Sequence, residues 1–274
     1  MRTQQTAFAK INLALHVRRR RPDGYHEIET IFAFAQDGDL LTLTGQDAPP
    51  LTIEGPLANG LSAGDDNLVL RAVTALGLAG QGLGLTLDKR LPVAAGIGGG
   101  SADAGAAIRL LAARAGKTPG QLDAIAESLG ADVPACVASV TARAEGLGYP
   151  VRAVAAAGLS GMPLLLVNPG VACPTGPVFA AWDGIDRGAL AKGDPLAAAR
   201  DGRNDLEAPA RALLPVIGDI LDRLGRSPGA QLVRMSGSGA TCFALFDSGD
   251  SRDAAAAKLR DGRPKWWVMA TALR

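Results

Sequence analysis

Apolar and polar side chains alternate along residues 7–17. Ala7, Ala9, Ile11, Leu13, Leu15 and Val17 share one parity; Phe8, Lys10, Asn12 and His16 take the other. A period of two is the pleat of a half-buried strand, which places Lys10 and Asn12 side by side on the face turned away from the core. Pro22-Asp23-Gly24 is a turn signal. Tyr25 and His26 lead from it into a second strand through Ile28, Thr30, Phe32 and Phe34. Leu83, Leu85 and Leu87 alternate again up to Lys89-Arg90-Leu91-Pro92.

The period then changes. Ala104, Ile108, Leu111, Ala112 and Ala115 recur at helical spacing, predicting a helix over 102–115 that Gly116 closes. Thr118, Pro119 and Gln121 supply a cap, a proline at the first helical position and the capping-box partner of a further helix. That helix carries Leu122, Ile125, Ala126 and Leu129, stops at Gly130, and is followed by Asp132-Val133-Pro134 on a loop. The apolar run Pro163 to Val167 reads as a buried strand. Asp183 to Asn204 is polar and irregular, as expected of a mobile connection.

Ala210, Leu213, Leu214, Ile217, Ile220, Leu221 and Leu224 predict one helix. Ser236-Gly237-Ser238-Gly239-Ala240 forms a second glycine loop before a strand from Cys242 to Phe246. A short helix over 254–259 and a last strand over 266–272, with Trp266 and Trp267 in its core, complete the pattern. Helices alternate with strands, yet the first strands are hairpin-connected, which favours an α+β fold over a doubly wound parallel sheet. The character of the chain shifts near Gly158, giving expected domains of 1–157 and 158–274.

Composition narrows the functions available. With 28 basic and 27 acidic residues the chain is nearly neutral, which argues against a nucleic-acid or membrane-surface binder. Arg18 to Arg21 is the one basic run, and beside a turn it reads as a solvated surface that attracts phosphorylated ligands. Cys136, Cys173 and Cys242 include no CxxC pair, so neither a disulfide framework nor a zinc site is indicated. Lys10 and Asn12 interrupt any signal-peptide core, and no run of about 20 apolar residues is present to span a membrane. The expectation is a cytoplasmic protein with no nucleic-acid or membrane partner.

The densest chemistry lies in PVAAGIGGGSAD, residues 92–103. Gly96, Gly98, Gly99 and Gly100 run into Ser101 just before a helix, where bare backbone N–H groups meet the positive end of the helix dipole. Such a segment cradles phosphate. It is neither the Walker loop, since no lysine follows the glycines, nor G-x-G-x-x-G, since position 101 is serine.

Lys10-Ile11-Asn12, PVAAGIGGGSAD, the GADVP segment around Asp132 and SGSGA together resemble the GHMP kinase superfamily, small-molecule ATP kinases, over nearly the whole chain. Within it, AKINLALHV followed by RPDGYHEIET is similar to the branch that phosphorylates the 2-hydroxyl of a cytidine-diphosphate-bearing methylerythritol in non-mevalonate isoprenoid synthesis. The resemblance implies an N-terminal domain like domain 2 of ribosomal protein S5, a ferredoxin-like C-terminal domain, and an active site in the cleft between them. ATP and Mg²⁺ are the implied cofactors, and the partner is a small molecule carrying cytidine diphosphate. A monomer or homodimer is expected.

The same resemblance assigns roles. Asp132 is the candidate general base, with Lys10 keeping it ionised and steadying charge on the transferred group. ATP is expected along Pro92, Val93, Ala94, Ala95, Gly96, Ile97, Gly98, Gly99, Gly100, Ser101 and Ala102, with Asn67 near the adenine or simply capping a helix. Ser101 is open to a phosphate or Mg²⁺ contact and to plain N-capping. On the substrate side, Asn12 is expected at the diphosphate. His26 pairs with the cytosine edge, Tyr25 and Phe179 stack on its faces, and Pro174 and Thr175 lie at the diphosphate or sugar end. Gly237 to Ala240 either backs the nucleotide or only leads a strand. His16 is expected to be solvated. The superfamily's Ser-Ser-Asn is here Ser101-Ala102-Asp103, so Asp103 is open to Mg²⁺ binding or to favouring the helix N-terminus, and the metal ligands stay unassigned.

Overall fold

Two long strands, β1 (Gln4–Arg20) and β2 (His26–Thr44), open the chain and pair with each other in the computed structural model, which describes residues 3–45 and 48–274. The turn between them follows from its sequence. Gly24 takes φ +87°, Asp23 Oδ1 accepts from Tyr25 N–H at 3.1 Å, and Arg21 N–H closes onto Tyr25 O at 2.7 Å.

The chain divides into two compact units that interleave in sequence: residues 1–10, 37–93 and 98–139 form one, and 11–36, 94–97 and 140–274 the other. In the first unit, Leu40–Thr44 of β2 pairs antiparallel with β4 (Gly84–Asp88), and β3 (Leu51–Glu54) lies parallel to β4. Four helices pack against one another there: α1 (Leu68–Ala75), α2 (Gly99–Ala115), α3 (Pro119–Leu129) and α4 (Val133–Ala138). Gly105 is why α2 and α4 meet so closely, since a Cβ there would stand 2.8 Å from the Cys136 backbone. The capping box of α3 forms as its sequence demands: Thr118 accepts from Gln121 N–H, and Gln121 returns to Thr118 N–H.

In the second unit, Ile28–Phe32 of β2 pairs with β5 (Ala142–Gly146), which pairs with β6 (Val151–Ala153). A separate antiparallel sheet has the order β10-β7-β9-β8, from β7 (Pro163–Asn168), β8 (Ala230–Met235), β9 (Cys242–Phe246) and β10 (Trp267–Ala272). Around it lie α5 (Thr175–Ala180), α6 (Pro195–Asp201), α7 (Glu207–Leu213), α8 (Val216–Gly225) and α9 (Gly249–Gly262). Leu165, Val167, Ile217, Ile220, Leu224, Ala244 and Phe246 centre this unit's core. The α+β class follows from these two arrangements.

Several sequence expectations need correction. β1 is buried on both faces and not on one: Lys10, Asn12 and His16 are as enclosed as Ile11 and Leu13, because each polar side chain meets protein partners instead of water. The helix expected over 210–224 is two, because Pro215 has no N–H to carry the ladder past Leu214. The stretch 183–204 holds α6 and buries Leu190, Ala198 and Ala199, so it is anchored. Asp132 stands at the N-cap of α4, not in a loop. The short helix expected over 254–259 extends through 249–262, and Trp266 and Trp267 are half-buried, with the guanidinium groups of Arg223 and Arg263 lying 5.9 and 5.4 Å from the Trp266 ring centroid.

Candidate active site

In the first unit, β1 delivers Lys10 and the start of α4 delivers Asp132. The buried ammonium donates to Asp132 Oδ2 at 3.0 Å. Asp132 occupies an N-cap position, where an aspartate usually bonds the helix's own N–H groups, yet its side chain makes no capping bond. Its carboxylate is instead committed to Lys10 and stays 38 % exposed. A basic oxygen that is held in place and reachable by a ligand can take a proton.

The same lysine borders the glycine loop: a Cβ on Gly98 would lie 3.3 Å from Lys10 Cε. Gly98 sits at φ +65° at the N-cap of α2, and no side chain caps that end. The first N–H groups of a seventeen-residue helix therefore open beside the Lys10–Asp132 pair, with the dipole favouring an anion. Ser101 lies inside the first turn, so it is not the cap. Asn67 caps α1: its Oδ1 accepts from Val69 N–H at 2.9 Å and its Nδ2 donates to Ser62 O at 2.8 Å. Leu68 beside it reaches within 3.4 Å of where a Gly100 Cβ would stand, so the head of α1 borders the loop.

Asp103 lies in the first part of α2 beside a buried lysine. It is buried, and its Oδ2 accepts from Lys89 Nζ at 2.8 Å. The same ammonium bonds Asp39 Oδ2, and Asp39 Oδ1 accepts from the N–H groups of Arg90 and Leu91 at the entry to the glycine loop. Burial, with the neighbouring Asp39 adding to it and Lys89 opposing, pushes the Asp103 carboxyl up to about 7. Burial lowers the Lys89 ammonium, but Asp103 and Asp39 outweigh it and hold it above its ordinary range. Among the described residues, no group of three or more His, Cys, Asp or Glu is placed to hold a metal ion.

In the second unit, Asn12 donates from Nδ2 to Thr30 Oγ1 at 2.8 Å, and Thr30 donates on to Ala14 O at 2.7 Å. Ala95 and Ile97 turn into the core, whereas Ala94 is exposed with φ +51°. In the first unit, Pro92 is partly exposed and Val93 is 53 % exposed. Ala102 is buried. Gly96 packs against the second glycine loop, where a Cβ would stand 2.3 Å from Ser236 O. Thr175 Oγ1 lies 3.0 Å from Ser238 Oγ, and Cys173 donates to Ser238 O, so the turn with Pro174 joins that loop.

His26 opens β2 and packs on Phe179 with ring centroids 5.0 Å apart, while Trp182 meets it edge-on at 5.7 Å. Burial and then Arg20 lower its pKa. Arg20 can only donate, so His26 Nε2 accepts and the ring is a neutral imidazole with its proton on Nδ1. Tyr25 is 66 % exposed. Phe179 lies against His26, at the same end of β2 as Tyr25.

His16 is not solvated. Its Nε2 accepts from Arg203 N–H at 3.2 Å and its Nδ1 meets Gly188 O at 3.1 Å, tying the 183–204 segment to β1. Three arginines of the run are charge-paired, Arg18 with Glu29 and Asp186, Arg19 with Glu27 and Arg21 with Asp23, while Arg20 donates to His26 Nε2 and Ala180 O.

Sequence reasoning missed Lys89 with Asp39, Thr30 behind Asn12, and Ser236. It also missed Arg109, whose guanidinium bonds Thr6 O, Cys136 O and Ser139 Oγ and so ties the root of β1 to α4. The flanking composition of the loop is the one signal that could have pointed to Lys89.

Comparison with known proteins follows the same lines. Residues 67–139 match the profile of the GHMP kinases N terminal domain, and 186–264 that of GHMP kinases C terminal. A protein of Rhizorhabdus wittichii named 4-diphosphocytidyl-2-C-methyl-D-erythritol kinase is 58 % identical over 100 % of this chain and 96 % of its own length. One of the same name from Sphingopyxis alaskensis is 54 % identical over 99 % and 98 %. Among solved structures, a 4-(cytidine 5'-diphospho)-2C-methyl-D-erythritol kinase superposes with TM-score 0.77 at 35 % identity, covering 98 % of both chains. The mevalonate kinase of L. major, solved with R-mevalonate, has TM-score 0.69 at 17 % identity over 100 % of this chain and 96 % of that one, a likeness of fold.

Proposed function

Because the chain belongs to the GHMP kinase family, we propose that it transfers the terminal phosphoryl group of ATP to the 2-hydroxyl of 4-diphosphocytidyl-2-C-methyl-D-erythritol, giving the 2-phosphate and ADP. The observation that carries this reading to chemistry is the 3.0 Å Lys10–Asp132 pair beside the uncapped head of α2. In that arrangement the N–H groups from Gly98 to Ser101 hold the phosphates. Asp132 takes the proton of the attacking hydroxyl, and Lys10 orients Asp132 and steadies the charge that develops on the transferred group.

Asn12 binds the substrate's polar middle, its amide oriented by Thr30. His26 offers Nδ1–H to the base edge, Tyr25 covers the base from solvent, and Phe179 supports the imidazole. Pro174 and Thr175 border the substrate's diphosphate or sugar end, and Asn67 with Leu68 borders the adenine. ATP is expected to arrive as its magnesium complex. Among the described residues no His, Cys, Asp or Glu cluster gathers for that ion, and Asp103 Oδ2 is engaged by Lys89, so no step is assigned to the metal.

The division into N- and C-terminal GHMP domains near residue 157 is part of the same proposal, as is action in the cytoplasm as a monomer or homodimer. Three buried free cysteines suit a reducing compartment, and among the described residues no helix is long and apolar enough to cross a membrane. An assay coupling ADP release to addition of the cytidine-bearing substrate tests the reading. Turnover is expected with that substrate and not with homoserine or mevalonate. Background rates with it, or a preference for either other alcohol, would refute the assignment.

A further inference from the structure

Two glycine-bearing turns interlock within one compact unit. Residues 94–97 run along the turn that joins β8 to β9, and Thr241 N–H donates to Ala95 O at 3.1 Å. The turn itself is pinned, since Ser236 N–H donates to Thr241 O at 2.9 Å. At the centre is the hydroxyl of Ser236, a residue with no solvent exposure. It accepts from Asn12 N–H at 3.1 Å and donates to Gly96 O at 2.8 Å. A hydroxyl carries one proton and can accept through its lone pairs, so this one oxygen serves both backbone groups at once.

The two groups it joins belong to the two sides of the reaction. Gly96 lies in the glycine segment expected to run along ATP, and Asn12 stands on the strand expected to meet the acceptor. We propose, on the basis of the kinase reading above, that Ser236 is a positioning residue for phosphoryl transfer: its hydroxyl sets the glycine turn in register with the acceptor strand and thereby fixes the distance from donor to acceptor. Without the hydroxyl, a buried N–H and a part-buried C=O lose their shared partner, and the two backbones shift to compensate. The first turn of α2, which is expected to hold the phosphates, makes no bond to Ser236 among the described residues. Loss of the hydroxyl therefore falls on alignment more than on ATP affinity.

Ser236→Ala, Ser236→Thr and Ser236→Val test this together. Threonine and valine have the same shape and impose the same crowding, so they differ only in the hydroxyl. Steady-state kinetics should show kcat of S236V below that of S236T by about 10- to 100-fold, the range in which a displacement of about 1 Å acts. The KM for ATP should agree between them within about threefold, because uniform binding is untouched. S236A should follow S236V. Equal kcat in S236T and S236V overturns the proposal, as does a loss that appears only as a raised KM for ATP. If S236A fails to fold, the threonine–valine pair still decides. A wild-type chain that does not phosphorylate the cytidine-bearing substrate overturns the kinase assignment, whereas an active wild type with indifferent variants overturns the role of Ser236 alone.

Discussion

Replacing Asp103 with asparagine should reshape the pH dependence of stability. Two carboxylates, Asp39 and Asp103, share the Lys89 ammonium inside the protein, and burial raises the Asp103 carboxyl to about 7 from an ordinary 3.8. A carboxyl that is a weaker acid in the folded chain than in the unfolded one binds its proton more tightly when folded. Its contribution to stability is complete below pH 3.8 and is lost as pH rises through about 7. Each pKa unit corresponds to about 1.4 kcal/mol, so the loss between pH 5 and pH 8 is about 3 kcal/mol. Asparagine keeps the shape and removes the titration. Urea unfolding of both proteins at pH 5, 6, 7 and 8 in constant salt should show the difference in stability, wild type minus Asp103→Asn, falling by about that amount across the series. Parallel profiles would show that Asp103 is ionised throughout, and the argument from a shared ammonium would be wrong.

Other expectations concern the site itself. Asp132→Asn should leave ATP binding by calorimetry near the wild-type value and lower turnover by about 10²- to 10⁴-fold, the usual contribution of a positioned base; retained activity would mean that another group takes the proton. His26→Ala should raise KM for the cytidine-bearing substrate by about 10- to 100-fold through one lost buried hydrogen bond and its packing, with KM for ATP little changed; equal effects on both would refute its assignment to the base. Gly96→Ala puts a Cβ 2.3 Å from Ser236 O at φ +73°. Strain and overpacking together should destabilise by about 2–5 kcal/mol, read as a lower Tm, and an unchanged Tm would refute the close packing of the two glycine turns.

Much of this architecture was legible where the signal is local. The box at Thr118 and Gln121, the apolar run of β7 and the glycines ahead of α2 each declare themselves within a few residues. Lys10 and Asp132 were linked by resemblance, and their 122-residue separation has no periodicity that could have revealed it. Features that depend on distant partners stayed hidden. The polar parity of β1 reads as solvent-facing, yet His16 is enclosed by Arg203 and Gly188. Asp39 and Lys89 lie 50 residues apart in chain order, in segments with no charge pattern. The break at Pro215 was present in the sequence but was masked by an apolar spacing that runs on across it. An aspartate beside glycines looks the same in sequence whether it faces a cation or a buried lysine, so Lys89 beside Asp103 was hidden as well.

The interleaving of the two units bears on how the protein is made. The chain passes between them after Lys10, Gln36, Val93, Ile97 and Ser139. A ribosome releases the β1–β2 hairpin first, yet Leu15 on it finds its bridge partner only at Asn204. The part of the hairpin around Leu15 must therefore wait for residue 204 to be made, whereas its far end finds β4 after 88 residues, and a partner that comes late invites chaperone attention. No single scission separates one unit intact from the other, so neither unit can be released as one continuous piece of chain.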